Sequence, residues 1–489
     1  MHARRILIGA GALLAGLPLT AAAHGFGRLY NLPVPFWLYA WTASAALLLS
    51  FLISAWFATA PAAVHKNDTS HSDIGLRGLR RLRVPLQLIS VGLLALCIVS
   101  GLIGNRDPQR NFNMTFFWVH FVLGASYLTA LLGNFYAALS PQRALAEWIG
   151  RLWRGYTDGR IRYPHALGDT PALIVYLAFI GFELFGNSKP FSLSVAMLGY
   201  TLLSLVGVWL VGLRAWFTHC DAFSVFLRLI ALIAPIDYRP ADSPGTHGTL
   251  RWRLPFSGLV RERPQQLSTV LFVLAMLSTT AFDGLRATQN WVFWFWSDPS
   301  GIVTSLLGGA PYSQVARALD WYRAWESAWL LASPLIYFAF FWSLLWIGGR
   351  LAGSRRATRE LALDFAYPLL PIALVYNITH YATLILTQGL KIVSLTSDPF
   401  GWNWNLFGTA WKLRAPILPD MGWVWHSQVG LILAGHLLGV WLAHRVALQV
   451  FETPRQALRS QLPMLLIMMA FTVTGLWILA QPLTAELMR

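Results

Sequence analysis

Ten apolar runs separated by short polar segments dominate the chain: Val34 to Ala60, Val84 to Ile103, Thr115 to Leu139, Pro171 to Phe185, Phe191 to Leu213, Leu267 to Phe282, Trp325 to Gly348, Phe365 to Leu386, Trp423 to Val446 and Leu462 to Ala480. A helix needs roughly 20 such residues to cross a hydrocarbon core about 30 Å thick, and most of the runs meet that length. The fourth and sixth are short, which predicts little tilt or extension by polar flanks. Ahead of them, Met1 to Ala23 carries Arg4 and Arg5, an apolar stretch from Ile6 to Leu19 and the small residues Ala21-Ala22-Ala23. That is the pattern of a cleaved signal peptide, with a retained signal anchor as the alternative; the short apolar part favours cleavage. The pattern predicts an all-α polytopic transmembrane bundle of about ten spanning helices, forming a single domain from His24 to Arg489. Phe223 to Ile233, apolar but broken by Arg228, is too short to span and is expected to lie in the membrane interface.

Composition agrees with lipid as the solvent. Hydrophobic residues make up 56% of the chain and charged residues 12%, with a mean hydropathy of +0.52. The net charge of +16 argues less for nucleic acid than for membrane orientation, because the arginines lie in short segments between apolar runs. If His24 starts outside, the inside segments hold Arg77, Arg80, Arg81 and Arg83, then Arg143, Arg151 and Arg154, then Arg228, Arg251 and Arg261, then Arg350, Arg355 and Arg356, then Arg445 and Arg455. The positive-inside rule therefore predicts a bacterial inner (cytoplasmic) membrane protein with a periplasmic amino terminus. Cys97 and Cys220 fall on different segments, so a disulfide between them is not expected. No Cys-x-x-Cys-His, glycine-rich phosphate loop or His-Glu-x-x-His motif is present.

Ionisable residues inside spans are expensive and mark candidate sites. They are His120, Glu183, Asp283, Glu326, His380, His426, His436 and His444. Alternating helix direction puts all but His444 in the outer half or near the midplane, with His24 also outside. Imidazoles and carboxylates are the ligand set of a divalent metal, so His380, His436, His24, His120 and His426 are candidate metal ligands, and Asp283, Glu326 and Glu183 candidate catalytic carboxylates. Hydrogen-bonded packing is the competing reading for each histidine. Tyr376, His380, Thr383 and Thr387 fall on one helical face with Asn377 beside it, as do Glu326, Ser333 and Tyr337, so both faces should look into protein. His426 and His436 are turned about 80° apart and separated by about 15 Å, too far to share an ion. His24, once amino-terminal, would offer amine and imidazole together, a chelate suited to copper. His219, Cys220 and Asp221 form a further metal-capable cluster on the inner side, for which a set of loop residues is the favoured reading. The Trp291 to Trp296 burst and Trp402, Trp404 and Trp411 read as an aromatic belt, with a substrate lid as the alternative.

Ala23-His24-Gly25, Asn31-Leu32-Pro33-Val34-Pro35, Ala281-Phe282-Asp283-Gly284, Leu370-Pro371-Ile372-Ala373 with His380-Tyr381, Gly435-His436 with Leu442-Ala443-His444, and Pro463-Met464-Leu465 resemble stretches of the bacterial polytopic membrane proteins named fenitrothion hydrolase. The resemblance runs from the leader to the last helix, in short words. It implies hydrolysis of an apolar organophosphorus triester, a phosphorothioate with an aromatic leaving group, and carries over His24, Asp283, His380, His436 and His444 as positions without roles. An uncharged triester partitions into lipid, so a site reached from the outer leaflet would meet it concentrated. His380 and His436 are then expected to share a metal, with a carboxylate as further ligand or base. An ion- or proton-coupled transporter and a haem- or metal-binding subunit are the alternatives, and a partner subunit remains open.

Overall fold

The computed structural model describes residues 22–23, 30–57, 74–75, 79–186, 188–239, 249–417 and 419–481. The expected leader, its cleavage point and His24 lie outside them, apart from Ala22–Ala23, a two-residue strand paired with Tyr30–Asn31.

Ten helices correspond to the ten apolar runs: α1 Phe36–Phe57, α2 Leu79–Ile103, α3 Phe112–Leu132, α4 Thr170–Phe185, α5 Pro190–Val211, α6 Leu267–Arg286, α7 Val315–Ala352, α8 Leu370–Gln388, α9 Met421–Val450 and α10 Pro454–Ala480. Among the described residues nine are long and apolar enough to cross a membrane, α8 together with its flanking turns. The tenth, α4, stays at 16 residues. The protein is an all-α multi-pass membrane protein. Its strands are minor: Ile236–Arg239 and Thr249–Trp252 form a hairpin that also pairs with Ile74–Gly75 on the arginine-rich side.

Helix ends depart from the apolar runs where polar residues continue a helix. α6 passes Phe282 to Arg286 because Asp283 and Arg286 lie on one face and pair. α7 begins ten residues before Trp325, its extra turns carrying Arg317, Asp320 and Arg323. The third run does the reverse. Its helix stops at Gly133, whose φ of 79° lets the chain turn, and Tyr136–Leu139 is a separate helical turn. Within α3, Phe116–Gly124 winds as π-helix.

Packing divides the spans into two groups. α1, α6, α7, α8, α9 and α10 pack closely on one another, α2 packs along α5, and α4 contacts α6 and α7. Ala222–Ala231 is the expected interfacial helix, but it is buried rather than laid on a surface: Ala222, Val225, Leu227, Leu229 and Ile230 are all in the core. It is apolar on nearly every face, and its one cation is neutralised by Asp169.

Close approach of α7 to α10 depends on Gly348, where an added Cβ would lie 2.2 Å from the Ser460 carbonyl oxygen. Gly348→Ala should therefore destabilise the bundle by about 1–3 kcal/mol through overpacking. Gly92→Ala, whose Cβ would meet nothing within 4 Å, should leave the midpoint unchanged or raise it. Thermal unfolding in detergent compares the two, and equal midpoints would contradict this packing.

Candidate functional site

At the end of the bundle away from the arginine-rich segments, α4, α6, α7 and α8 bring charged side chains into one cluster. Asp283 is its centre. Its Oδ2 accepts from His380 Nε2 at 2.8 Å and from the Tyr381 hydroxyl at 2.9 Å, while its Oδ1 faces Arg286 Nε at 3.3 Å. The Arg286 guanidinium also reaches Glu326 Oε2 at 3.5 Å and donates to the Leu184 carbonyl at 3.4 Å. Its Cζ lies 5.3 Å from the Phe185 ring centroid, a cation–π distance. Glu183, next along α4, lines a neighbouring cavity with Tyr381.

Local sequence explains how these groups meet. Asp283 and Arg286 stand one turn apart on α6, and His380 and Tyr381 are consecutive on α8, which packs against α6. Gly284 keeps α6 close to α10, where a Cβ would lie 2.8 Å from Ile478 Cγ2, while the Tyr376 hydroxyl and His380 Cε1 of α8 would stand at ordinary contact distances of 3.5 and 3.7 Å. The side chains of His380 and Asp283 retain 15% and 16% exposure, so the pair is not sealed although both lie within spans.

Of the residues singled out in the sequence, the structure joins Asp283, Glu326 and His380 through Arg286 and sets Glu183 beside them. The other histidines lie elsewhere. His436 is buried in α9, donating from Nδ1 to the Ile432 carbonyl at 2.8 Å, and lines a separate cavity of about 70 Å³ with Tyr376. Gln428 bonds the Thr379 carbonyl and Gly435 faces Val375, so His380 sits level with Gln428 and about 10 Å along the helix from His436. The structure thus pairs His380 with Asp283, not with His436. His120 holds α3 to the end of α8 through Gly389 O at 3.0 Å, and His426 is exposed, bonding Gly422 O at 2.7 Å and lying edge-on to Tyr39. Among the described residues no three His, Cys, Asp or Glu side chains converge to hold a metal ion. Arg286 and Tyr381 escaped the sequence reading. The i, i+3 spacing of Asp283 and Arg286 was the available signal for the first.

The cavity beside the cluster measures about 560 Å³ and lies among α2, α3, α4 and α5, with Thr279 and Thr280 of α6 and Asn377 and Tyr381 of α8 closing one wall. That volume suits a small-molecule ligand. Phe117, Phe121, Phe179 and Phe223 form much of its lining, with ring centroids 5.0–6.4 Å apart.

On the arginine-rich side, Asp169 accepts from His219 Nδ1 at 2.8 Å, the Thr269 hydroxyl at 2.7 Å and Arg228 at 3.3 Å. Tyr163 stacks on the His219 ring. Asp221 caps Ala222–Ala231 and takes the Tyr200 hydroxyl, and Cys220 is buried and free. This knot ties α4, α6 and the buried helix together, so the loop reading of His219, Cys220 and Asp221 becomes a structural one.

Fold and cluster together define a class: a polytopic helical membrane protein with a carboxylate–histidine–arginine network buried among four spans. Against known protein families, curated proteins and solved structures, the chain finds no match.

Asp169 generates a pH prediction. Burial would push its carboxyl up, but the His219 hydrogen bond, the Arg228 charge and the Thr269 hydroxyl hold it below its ordinary 3.8. A depressed folded-state pKa gives stability that is fully present above the ordinary value and lost as pH falls through the folded one. Asp169→Asn should lower stability near neutrality by about 1–3 kcal/mol and flatten the loss below pH about 4. Thermal midpoints measured from pH 3 to pH 7 check both. An unchanged acid limb would show that Asp169 does not carry it.

Proposed function

We propose that the protein is a membrane-embedded hydrolase of neutral, apolar esters, with an organophosphorus triester of the fenitrothion type as model substrate, acting in the bacterial inner membrane with its amino terminus periplasmic. The observation that carries this reading is the Asp283–His380 pair, partly exposed and linked through Tyr381 to a cavity of about 560 Å³. A carboxylate bonded to one ring nitrogen fixes the imidazole tautomer and leaves the other nitrogen as a base. Nδ1 of His380 makes no hydrogen bond among the described residues.

In the reaction, His380 Nδ1 takes a proton from water, the resulting hydroxide attacks phosphorus, and the bond to the aryl oxygen breaks. The nitrophenolate departs without protonation, the dialkyl phosphorothioic acid loses its proton to water and leaves as an anion, and the His380 imidazolium returns its proton to water. Asp283 stabilises the imidazolium, Tyr381 and Arg286 hold Asp283, and Glu326 anchors Arg286. A divalent metal would supply a bound hydroxide at neutral pH. His380 is oriented by its carboxylate as metal-binding histidines are, and among the described residues no set of three His, Cys, Asp or Glu side chains converges there to hold an ion.

Membranes containing the protein should release nitrophenol from such a triester. Asp283→Asn and His380→Gln should each lower kcat by about 10²-fold or more, and Glu326→Gln by a smaller factor. His436→Ala should cost far less than either. Sealed vesicles distinguish the competing transporter reading: solute movement across them with no product released would replace the hydrolase by a transporter.

A further inference from the structure

The cavity is built differently from a pocket for a compact triester. Along α2 it extends from Leu86 to Cys97 and along α5 from Leu193 to Leu203, each about 15 Å of helix. That height is about half the thickness of a hydrocarbon core, the depth of one leaflet. Its middle is lined by phenylalanines and aliphatic side chains. At the end nearer the charged cluster stand Glu183, Asn377 and Tyr381; among the described residues Glu183 makes no hydrogen bond, so it is free to meet a ligand. At the opposite end Tyr136 and Gln142 face each other and Tyr200 bonds Asp221, which occupies those polar groups within the protein.

The cavity also has a window onto lipid. α2 and α5 run antiparallel and touch where Ser194 bonds the Cys97 carbonyl at 3.0 Å and Gly101 meets Pro190. Counting from that contact toward the arginine-rich side, Ile89 comes level with Thr201 and Leu202. Leu86 and Ile89 of α2 and Leu203 of α5 both line the cavity and are exposed, at 38%, 58% and 45%. Apolar side chains exposed in the middle of spans face lipid, not water. Gly199, also on the lining, leaves the window wide, since a Cβ there would meet nothing within 4 Å.

We propose that this cavity holds the single long hydrocarbon chain of a membrane amphiphile, taken in laterally through the window between α2 and α5. Resting on the hydrolase reading, we further infer that the substrate class is a neutral ester bearing such a chain, its ester group at Tyr381 and Glu183 and its chain running down the cavity and out into the membrane. The window lies in the arginine-rich half, so loading is from that leaflet and not from the opposite one that the sequence favoured.

The test uses the full chain in detergent with methyl cis-parinarate, a neutral fluorescent long-chain ester. Wild type should bind it saturably near one equivalent. Gly199→Trp should weaken binding at least tenfold, whereas Gly92→Trp, equally open on α2 but off the cavity lining, should bind like wild type. Asp283→Asn should retain binding. Wild-type affinity in Gly199→Trp, or no saturable binding by wild type, overturns the cavity assignment. For the substrate class, nitrophenyl dialkyl phosphates with one alkyl chain lengthened from two to twelve carbons should show kcat/KM rising at least tenfold, and a flat series overturns it. Probe binding that behaves as proposed with no product from any of these esters removes the hydrolase reading and leaves the cavity assignment standing.

Discussion

Arg286 is the constraint on which the charged end of the bundle depends. An unpaired carboxylate or guanidinium within a span costs about 2.5–3.5 kcal/mol on insertion scales. α6 and α7 carry Asp283 and Glu326 at one level, and a single guanidinium bonds both while donating to the end of α4. Three spans are thereby fixed relative to one another at that depth. α8 joins them because Asp283 has a second oxygen left for His380 and Tyr381. Removing the arginine would leave two carboxylates with like charge and no cation, so the geometry of the Asp283–His380 pair is a consequence of the ion pair and not an independent feature.

Placement of that network beside an apolar cavity sets two environments side by side within one protein. The Asp283–His380 pair keeps partial exposure, and the space that Tyr381 and Glu183 border is lined mainly by apolar side chains. An ester with a polar reacting group and an apolar remainder would find both environments at once. The knot around Asp169 serves the other side of the bundle, holding the buried helix Ala222–Ala231 so that Phe223 and Phe226 complete the cavity wall.

Much of this was legible in the chain because hydrophobic periodicity is set by lipid, a solvent that leaves little choice. The run from Phe191 to Leu213 and the helix Pro190–Val211 agree to within two residues. Errors arose where a helix outruns its apolar segment: α6 was cut at Phe282, which put Arg286 outside the span and hid the residue that organises the site. Helix direction correctly placed Glu183, Asp283, Glu326 and His380 at one end. Which histidine meets which carboxylate depends on rotation and register of α8 against α6 and α9, and hydrophobic spacing alone does not report that. The pairing of His380 with His436 therefore could not be judged from spacing, whereas Val375 against Gly435 settles the register in the structure.

The central claim is that Asp283 and His380 act as one catalytic unit, and a double-mutant cycle on kcat/KM for triester hydrolysis tests it most directly. Two residues that work together lose nearly the same amount singly and jointly. The account predicts that Asp283→Asn combined with His380→Gln is no slower than the worse single variant, with all three proteins inserted and folded. Losses that add in free energy, or a wild-type protein that releases no product, would contradict it.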